Sequence, residues 1–359
     1  MIPYTQHSIG EEEIQAVTEV LRSECLTEGP KVVEFEAAFA SYVGANHAVA
    51  CNSGASALYL AVKAIFPGEG CTIAVSSLTY VATANAVLLA GHFPLFIDID
   101  PMDFCINPVE IPDFVDGVIP VHFAGHSCNL DRIREEGEWV IIEDSAHACG
   151  AEYKGKKIGA RNVSCFSFHP AKNMTAAEGG IITTASRELA DKLRRMRQNG
   201  ICKGFDGLKA VQNMVQWGFN FRMNEIQAAI GIVQLKKVEG MNERRREIAA
   251  IYERELGHIV RMQQVSDDVI HSRHIFPILV NHRRDEILAN LLEDGIRCAV
   301  HYTPVHKMPF YRGRFKLSPL SFTEWISDRT LSIPLFPTMT EQQINHVIDS
   351  VKKAVIRWR

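Results

Sequence analysis

A lysine in a small, polar segment is the first residue of this sequence whose surroundings suggest chemistry. Lys172 lies within SFHPAKNMTAAEGG (167–180), a few residues after the apolar run SCFSF. Loops that follow the carboxyl ends of parallel strands are where α/β proteins place ligands. Small neighbours such as Ala171 and Gly179 would let a bulky ligand approach the backbone. A partly desolvated lysine there has a lowered pKa and can attack a carbonyl group, although most lysines are simply solvated.

A carboxylate at the end of the apolar run WVIIED (139–144) is the second candidate. Burying Asp144 there costs free energy unless a cationic or hydrogen-bonding partner compensates it. One interpretation is a helix N-cap, because Asp is a favoured cap and the following SAHA could begin a helix. The other is the partner of the protonated ring nitrogen of pyridoxal phosphate (PLP). His147 could face the same ring, or could be a hydrogen-bonded structural histidine.

Small residues in NSGASA (52–57) follow another apolar run and could begin a helix. Free backbone N–H groups and the helix dipole attract anions there, although such turns are common. Ser167 is a hydroxyl near Lys172, or a strand-end serine that faces water. Tyr80 follows a further strand and could stack on a flat cofactor, although most such rings only pack. One flat, phosphorylated, carbonyl-bearing ligand would explain these features together.

The segment HFAGHSC contains three residues of the types that bind zinc, namely His122, His126 and Cys128. Ligands at i and i+4 align on a helix, but Gly125 and the position at a strand end argue against a helix here. The sequence therefore predicts no metal site, with a zinc hydrolase as a minor alternative.

The elements that must position these groups follow from the apolar pattern. Helical spacing predicts helices over 10–22 and 31–44 and a long helical region from about 222. Short, continuous apolar runs predict strands that are buried on both faces, and hence a mostly parallel sheet in an α/β domain. These runs are 47–51, 72–77, 94–99, 117–122, 139–144, 164–168 and 180–184.

Beyond about residue 256 the pattern of predicted helices and strands becomes that of an α+β domain. The predicted strands there are 274–280, 297–302 and 330–336, and the predicted helices are 284–294 and 340–357. We therefore expect a large domain over 1–240, with an N-terminal arm, and a smaller C-terminal α+β domain over 241–359.

Composition excludes several classes of protein. The 359 residues are 47% apolar and 22% charged with a net charge of −4, so a nucleic-acid partner is not expected. No basic and apolar leader opens the sequence, and no apolar run approaches the ~18 residues of a membrane span. The nine cysteines contain no C-x-x-C pair. Reduced thiols and a cytoplasmic location are the expectation.

The ordered motifs resemble those of the DegT/StrS-type aminotransferases, which are PLP enzymes that aminate nucleotide-linked keto-sugars. The resemblance covers nearly the whole chain, and the ordered set is far more specific than any one piece. It implies PLP-dependent transferase fold type I, the aspartate aminotransferase-like fold. The matching segments are LTEGPKVVEFE, NSGASAL, SLTYVATANAV, IEDSAHACGAEYKGKKIG, SFHPAKNMTAAEGG, GFNFRMNEIQAAIG, HYTPVH and LSIPLFPTMT.

The resemblance also implies roles for single residues. Lys172 would form the Schiff base with PLP and act as the base once L-glutamate has displaced it, with pyridoxamine phosphate as intermediate. Asp144 would pair with the pyridine nitrogen, and His147 would lie near the phenolic oxygen. Tyr80 would be the stacking aromatic residue. The implied phosphate site is made of Gly54, Ala55, Ser56 and Ser167.

Further residues are implied to act between subunits or on the substrate. Asn220 would reach the phosphate of a neighbouring subunit, so a homodimer with shared active sites is expected. Arg222 would hold either a loop or a substrate carboxylate, while His169 receives no role. The implied contacts to the nucleotide-sugar are Thr27, His301, Tyr302 and His306, with Tyr4 as a further candidate.

The substrate is predicted by a narrower resemblance. SFHPAKN together with HFAGH is most similar to enzymes that aminate C4 of UDP-linked 4-keto-6-deoxy-hexosamines, of pseudaminic-acid type, or of a UDP-4-keto-pentose, of aminoarabinose type. Such enzymes serve cell-surface or secondary-metabolite amino-sugar biosynthesis. The alternatives are C3 amination of a dTDP-3-keto-6-deoxy sugar and a non-catalytic, PLP-holding regulator. Related dehydrating enzymes have histidine in place of the lysine, so Lys172 favours transamination.

Overall fold

The computed structural model describes residues 1–206 and 209–357. The helices are α1 (Glu11–Leu21), α2 (Pro30–Val43), α3 (Gly54–Ile65), α4 (Ala82–Leu89), α5 (Leu130–Glu136), α6 (Arg187–Met196), α7 (Glu225–Leu256), α8 (Arg284–Glu293), α9 (Ser321–Ser327) and α10 (Glu341–Arg357). The strands are β1 (His47–Cys51), β2 (Thr72–Ser76), β3 (Phe93–Ile97), β4 (Gly117–Ile119), β5 (Val140–Asp144), β6 (Glu152–Tyr153), β7 (Lys156–Lys157), β8 (Val163–Ser167), β9 (Gly180–Thr184), β10 (Ile201–Asp206), β11 (Lys209–Met214), β12 (Arg261–Met262), β13 (Val269–Ile270), β14 (Phe276–Leu279) and β15 (Thr330–Ile333).

A seven-stranded sheet forms the centre of the large domain, in the order β1-β9-β8-β5-β4-β2-β3. The strands β8, β5, β4, β2 and β3 pair in parallel, whereas β9 is antiparallel to both of its neighbours. The predicted α/β class with a mostly parallel sheet is therefore confirmed. The carboxyl ends of the parallel strands lie at one edge, where the candidate residues follow them.

Each predicted strand of this sheet lies within about two residues of its predicted bounds, except that β4 ends at Ile119, three residues before the predicted end at 122. One apolar cluster covers one face of the sheet, with Phe35, Phe39 and Phe168 among its members. A second cluster, with Leu60, Val75 and Val87, covers the other face. Burial on both faces is the reason that these strands are continuously apolar rather than alternating.

Local sequence explains where the neighbouring helices begin and end. Pro30 is the first residue of α2, where its missing N–H and its fixed φ cost nothing. Gly44 ends that helix at φ +79°, a left-handed conformation that glycine adopts without a steric penalty. Asn224 caps α7 by accepting a hydrogen bond from Gln227 N, and Gln227 Oε1 in turn accepts one from Asn224 N.

The C-terminal part contains an antiparallel sheet in the order β12-β14-β15, packed against α8 and α10. The predicted strand over 297–302 is wrong, because only Ala299 pairs there, in an isolated bridge to Ser332. Ile2 is buried in this part's apolar core and pairs with Ile296. The predicted boundary at 240 falls inside α7, whose first half packs with the large domain and whose last turns pack with the C-terminal core.

Two further findings bear on the composition. No helix within the described ranges is long and apolar enough to cross a membrane. All nine cysteines are free thiols, and five of them are buried: Cys51, Cys105, Cys128, Cys149 and Cys165.

Candidate functional site

A cavity of about 380 Å³ opens at the carboxyl ends of the parallel strands. Tyr80 follows β2, Val121 follows β4, Asp144 ends β5 and Ser167 ends β8, and the N-terminus of α3 closes one side. The residues that line the cavity are Tyr4, Ser53, Gly54, Ala55, Leu58, Thr79, Tyr80, Ala82, Thr83, Val121, Asp144, Ala146, His147, Ser167, His169, Ala171, Lys172, Glu178, His274, His301 and Tyr302.

Lys172 lies in the turn between β8 and β9, in the wall of this cavity. Its backbone N–H donates to His169 O at 2.8 Å, which fixes the turn. Burial lowers the pKa of Lys172 to about 8, against the opposing charge of Asp144. A fraction of the amine is therefore in its neutral, nucleophilic form near physiological pH.

Asp144 is buried at the end of β5, and both of its carboxylate oxygens accept hydrogen bonds. Thr83 Oγ1 donates to Oδ2 at 2.7 Å, and Ala146 N donates to Oδ1 at 3.1 Å. Burial raises the pKa of Asp144, while these hydrogen bonds and the charge of Lys172 oppose that shift. No helix follows Asp144 in the described structure, so the N-cap interpretation is wrong, and the carboxylate faces the cavity.

His147 is held by two hydrogen bonds in the cavity wall. Ala124 N donates to His147 Nδ1 at 3.2 Å, and Tyr302 Oη lies 2.9 Å from His147 Nε2. The ring of His274 packs on it, with centroids 4.2 Å apart. Burial, together with the charge of Lys172, lowers the pKa of His147 well below its usual range. The residue is thus both a hydrogen-bonded structural histidine and a cavity residue.

The start of α3 forms the narrow, polar end of the cavity. Ser53 caps the helix by accepting from Ser56 N at 3.1 Å, and the N–H groups of Gly54 and Ala55 form no hydrogen bond within the described ranges. A Cβ on Gly54 would lie 2.6 Å from Ser167 Cβ, so glycine is what lets these two segments meet. Unpaired N–H groups at a helix start attract an anion.

The cavity gathers most of the residues that the sequence singled out. Ser56 does not line it, because its N–H and its hydroxyl both bond to the Ser53 hydroxyl. Thr27, Asn220, Arg222 and His306 also lie outside it. The predicted residues that do line it are Tyr4, Gly54, Ala55, Tyr80, Asp144, His147, Ser167, Lys172, His301 and Tyr302.

The residues outside the cavity have partners elsewhere in the chain. Arg222 Nε pairs with Glu28 Oε1 at 3.1 Å, which ties the loop before α2 to the segment before α7 and favours the loop role of this arginine. His306 Nε2 lies 3.1 Å from Glu324 Oε1. Asn220 is exposed, next to Phe219, whose side chain is 52% exposed.

Several cavity residues were missed by the sequence reasoning, and three of them bear on the chemistry of the site. Thr83 reaches Asp144 from α4, and Ser53 caps α3, yet neither carries a pattern beyond an ordinary Ser or Thr. His274 is buried in the cavity wall, and its Nδ1 has no hydrogen-bond partner among the described residues. Burial lowers the pKa of His274 well below its usual range, so its ring is neutral. Its only signal was a histidine at the start of an apolar run.

The zinc alternative is not supported by how its residues are bonded. Both ring nitrogens of His122 are engaged, since Cys128 N donates to Nδ1 at 3.0 Å and Glu143 Oε2 lies 2.8 Å from Nε2. The described ranges instead bring together Asp103, Cys105 and His126, with ligand atoms within 4.8 Å. Ser266 N donates to His126 Nε2, which leaves the proton of a neutral ring on Nδ1, facing Cys105.

A larger groove of about 780 Å³ lies between the large domain and the C-terminal part. Met102, Val260, Leu279 and Trp325 line it with other mostly apolar residues. None of its lining residues is a lysine, a carboxylate, a histidine or a cysteine, whereas the smaller cavity holds Lys172 and Asp144 together. Chemistry rather than volume therefore identifies the site.

Comparison with known proteins identifies the family of the chain. The model of the DegT/DnrJ/EryC1/StrS aminotransferase family matches residues 7–352. Over 378 aligned positions the chain is 36% identical to the uncharacterized protein MJ1066 of Methanocaldococcus jannaschii, covering 99% of this chain and 97% of that protein.

Solved structures are similar over the whole length. PseC of Helicobacter pylori, an aminotransferase involved in the biosynthesis of pseudoaminic acid, matches with a TM-score of 0.90 and 30% identity, over 99% of each chain. Spr1654 of Streptococcus pneumoniae, in its PLP form, matches with a TM-score of 0.92 and 26% identity, also over 99% of each chain. This similarity confirms the predicted fold class, PLP-dependent transferase fold type I.

Proposed function

The chain is an aminotransferase, because it belongs to the DegT/DnrJ/EryC1/StrS aminotransferase family, and we propose that it moves the amino group of L-glutamate to a keto-sugar nucleotide with PLP as cofactor. One observation carries the proposal. A lysine with a lowered pKa, a buried aspartate and an unpaired helix N-terminus face the same cavity. These three groups match the aldehyde, the ring nitrogen and the phosphate of PLP.

The polar end of the cavity fits a phosphate group. The free N–H groups of Gly54 and Ala55 would donate to its oxygens, and Ser167 would add a hydroxyl. The close approach of α3 to Ser167, which a Cβ at Gly54 would prevent, makes this cradle. The positive end of the α3 dipole adds to the attraction.

Asp144 would hold the proton on the ring nitrogen. A buried carboxylate is costly alone, and burial raises the pKa of Asp144, but a protonated nitrogen beside it would supply the missing counter-charge. Thr83 and Ala146 fix the two carboxylate oxygens by hydrogen bonds and thus set the direction of that contact. When bound, PLP would supply an aldehyde for attachment and an electron sink for the substrate carbanion.

Lys172 would act first as the nucleophile and then as the base. With a pKa of about 8, a useful fraction of the amine is neutral near neutral pH. Once L-glutamate has displaced it from the cofactor, Nζ would remove the proton from the glutamate Cα. A base with a pKa close to the working pH is the most effective one for this transfer.

The partner subunit and the sugar are the finer parts of the proposal. Asn220 lies on the surface, beside the exposed Phe219, as expected of a residue that acts on a neighbouring subunit in a homodimer. For the substrate we favour C4 amination of a UDP-linked 4-keto-6-deoxy-hexosamine or 4-keto sugar. The segments SFHPAKN and HFAGH support this choice, as does the similarity to PseC.

The proposal is tested by incubating the PLP-loaded protein with L-glutamate and a panel of nucleotide-linked 4-keto and 3-keto sugars. Mass spectrometry and NMR would identify any aminated product and the carbon that carries the nitrogen. We expect a 4-amino product from a UDP-sugar. A 3-amino product would correct the position, and the absence of any aminated sugar would contradict the proposed function.

A further inference from the structure

The hydroxyl group of Tyr302 forms one hydrogen bond among the described residues, to His147. Tyr302 lines the cavity together with Lys172 and Asp144. Its ring stacks on that of His147 at a centroid distance of 6.0 Å and an interplanar angle of 27°. Its carbonyl oxygen accepts from Ser327 Oγ at 2.9 Å, so the residue is fixed at both ends.

The protonation of His147 follows from its hydrogen bonds. Ala124 N–H can only donate, so His147 Nδ1, at 3.2 Å, must accept with its lone pair. A neutral ring then carries its proton on Nε2. Burial lowers the pKa of His147 well below its usual range, and the charge of Lys172 lowers it further, so the ring stays neutral. Nε2–H therefore donates to Tyr302 Oη at 2.9 Å.

Since Tyr302 Oη accepts that bond, its own proton must point elsewhere. Residues 1–206 and 209–357 offer this hydroxyl no second hydrogen bond. Burial raises the pKa of Tyr302, and the negative charge of Asp144 raises it further, so the phenol keeps its proton. The free O–H is thus a fixed donor in the wall of the cavity that holds Lys172.

We propose that Tyr302 donates a hydrogen bond to an oxygen of the bound ligand, and that His147 is the positioning residue that orients it. The acceptor is either the phenolic oxygen of PLP or the carbonyl oxygen of the keto substrate, whether sugar or 2-oxo acid, that receives the amino group. The inference rests on the proposed function. It differs from the family resemblance, which gave His147 the place near the phenolic oxygen and made Tyr302 a contact of the nucleotide-sugar.

The first test is a pH titration of the visible absorbance of PLP-loaded Tyr302→Phe. A donated hydrogen bond stabilises the negatively charged phenolic oxygen. Its loss should therefore raise the pKa at which the visible absorbance changes, here called the spectral pKa, by about one unit. Tyr311→Phe is the matched control, because Tyr311 is also buried but bonds to Asn85 outside the cavity. The control should titrate like the wild type.

The second test addresses a substrate carbonyl, with 2-oxoglutarate as the probe. The pyridoxamine-phosphate form is mixed with 2-oxoglutarate, whose carbonyl oxygen leaves as water while the nitrogen is transferred. If the carbonyl oxygen is the acceptor, Tyr302→Phe slows this half-reaction by about tenfold or more and leaves the spectral pKa unchanged. Tyr311→Phe should react at the wild-type rate.

The role of His147 is tested by a rescue. In His147→Gln the side-chain amide can still donate to Tyr302, whereas His147→Leu cannot. We expect His147→Gln to keep the property that Tyr302→Phe changes, and His147→Leu to lose it. Equal behaviour of the two variants would overturn the positioning role.

The inference as a whole fails if Tyr302→Phe matches Tyr311→Phe in both tests while the wild type binds PLP and reacts. That result would leave the aminotransferase proposal intact. A wild type without Lys172-dependent visible absorbance would instead contradict the proposed function itself. Because phenylalanine keeps the ring of Tyr302, a folding defect is not expected, and circular dichroism of both variants checks it.

Discussion

Two neighbouring carboxylates on β5, Glu143 and Asp144, point to opposite faces of the sheet and have very different surroundings. Glu143 is buried against His122 Nε2 at 2.8 Å and also accepts from Asn162 Nδ2. His122 is satisfied in turn by Cys128 N. Asp144 faces the cavity, where Lys172 has no carboxylate in hydrogen-bond contact among the described residues.

Glu143 thus belongs to a structural hydrogen-bond network, whereas Asp144 belongs to the candidate site. Around Glu143 every group of the pair has found its partner within the chain, which stabilises the fold and leaves nothing for a ligand. The buried carboxylate of Asp144 has hydrogen bonds but no cationic partner in contact with it among the described residues. The Nδ1 atom of His274, which has no hydrogen-bond partner there either, lies in the same cavity wall. Such incomplete, perturbed groups in a cavity are typical of a functional site.

Of the substitutions on β5, Asp144→Asn has the largest expected effect. The variant keeps the shape of the side chain but removes the charge that would hold a proton on the ring nitrogen. We expect the rate at which L-glutamate bleaches the cofactor absorbance to fall by about 10²–10³-fold. Stopped-flow absorbance of the PLP-loaded variant measures this rate.

Glu143→Gln is the matched variant on the closed face. The new amide N–H group would face the N–H donor of Asn162, so that a buried hydrogen bond is lost. We therefore expect the free energy of unfolding to fall by about 1–3 kcal/mol. Activity should stay close to that of the wild type. Urea unfolding and the same bleaching rate check both statements. The distinction between the two faces would be wrong if Glu143→Gln lost as much rate as Asp144→Asn at unchanged stability.

The pH dependence of PLP attachment should reveal the lowered pKa of Lys172. Only the neutral amine attacks, so the attachment rate rises with pH and levels off above the pKa of about 8. Between about pH 7 and pH 9 the neutral fraction grows by about tenfold. An amine with its ordinary pKa of 10.5 would show no plateau below about pH 10.

The same titration sharpens the role of Asp144. Its negative charge raises the pKa of Lys172, so Asp144→Asn should move the plateau to lower pH. The initial rate of appearance of the visible absorbance, on mixing apoprotein with PLP, is the measurement. An unchanged plateau would mean that the two groups do not interact across the cavity.

The smallest effect is expected at the phosphate end. In Gly54→Ala the new methyl group would lie 2.6 Å from Ser167 Cβ, which pushes α3 away from the strand. We expect PLP affinity to fall by about tenfold, the equivalent of about 1.4 kcal/mol. Gly68→Ala is the control, since no atom lies within 4 Å of its added Cβ. Equal PLP affinities of Gly54→Ala and the wild type would contradict the proposal that the close approach of α3 to Ser167 shapes the phosphate site.

The strands were predictable because burial on both faces of the sheet requires apolar side chains along most of each strand. Runs such as WVIIED and SCFSF are mostly apolar, and β5 and β8 lie where these runs are. The segment 297–302 misled because its short apolar run, Cys298 to Val300, also suits an extended chain that pairs at one point only. The antiparallel direction of β9 was not predicted, because apolar runs carry no sign of strand direction.

The candidate site was only partly predictable. Asp144 stood out because a carboxylate at the end of an apolar run requires a partner, and Lys172 stood out because it lies among small residues just after such a run. Thr83 and His274 join the site through contacts between distant parts of the chain. Such contacts cannot be predicted from the type of either residue. The hydrogen bond between His147 and Tyr302 spans 155 positions, and it decides which of the two has a free proton.

The central claim is that Lys172 is the residue that binds PLP and carries the transamination. The most direct measurement is the visible absorbance of the PLP-loaded protein before and after addition of L-glutamate, for the wild type, Lys172→Ala and the exposed-surface control Lys353→Ala. We predict an absorbance band that L-glutamate bleaches in the wild type and the control, and no such band in Lys172→Ala. A bleachable band in Lys172→Ala, or none in the wild type, would contradict the account.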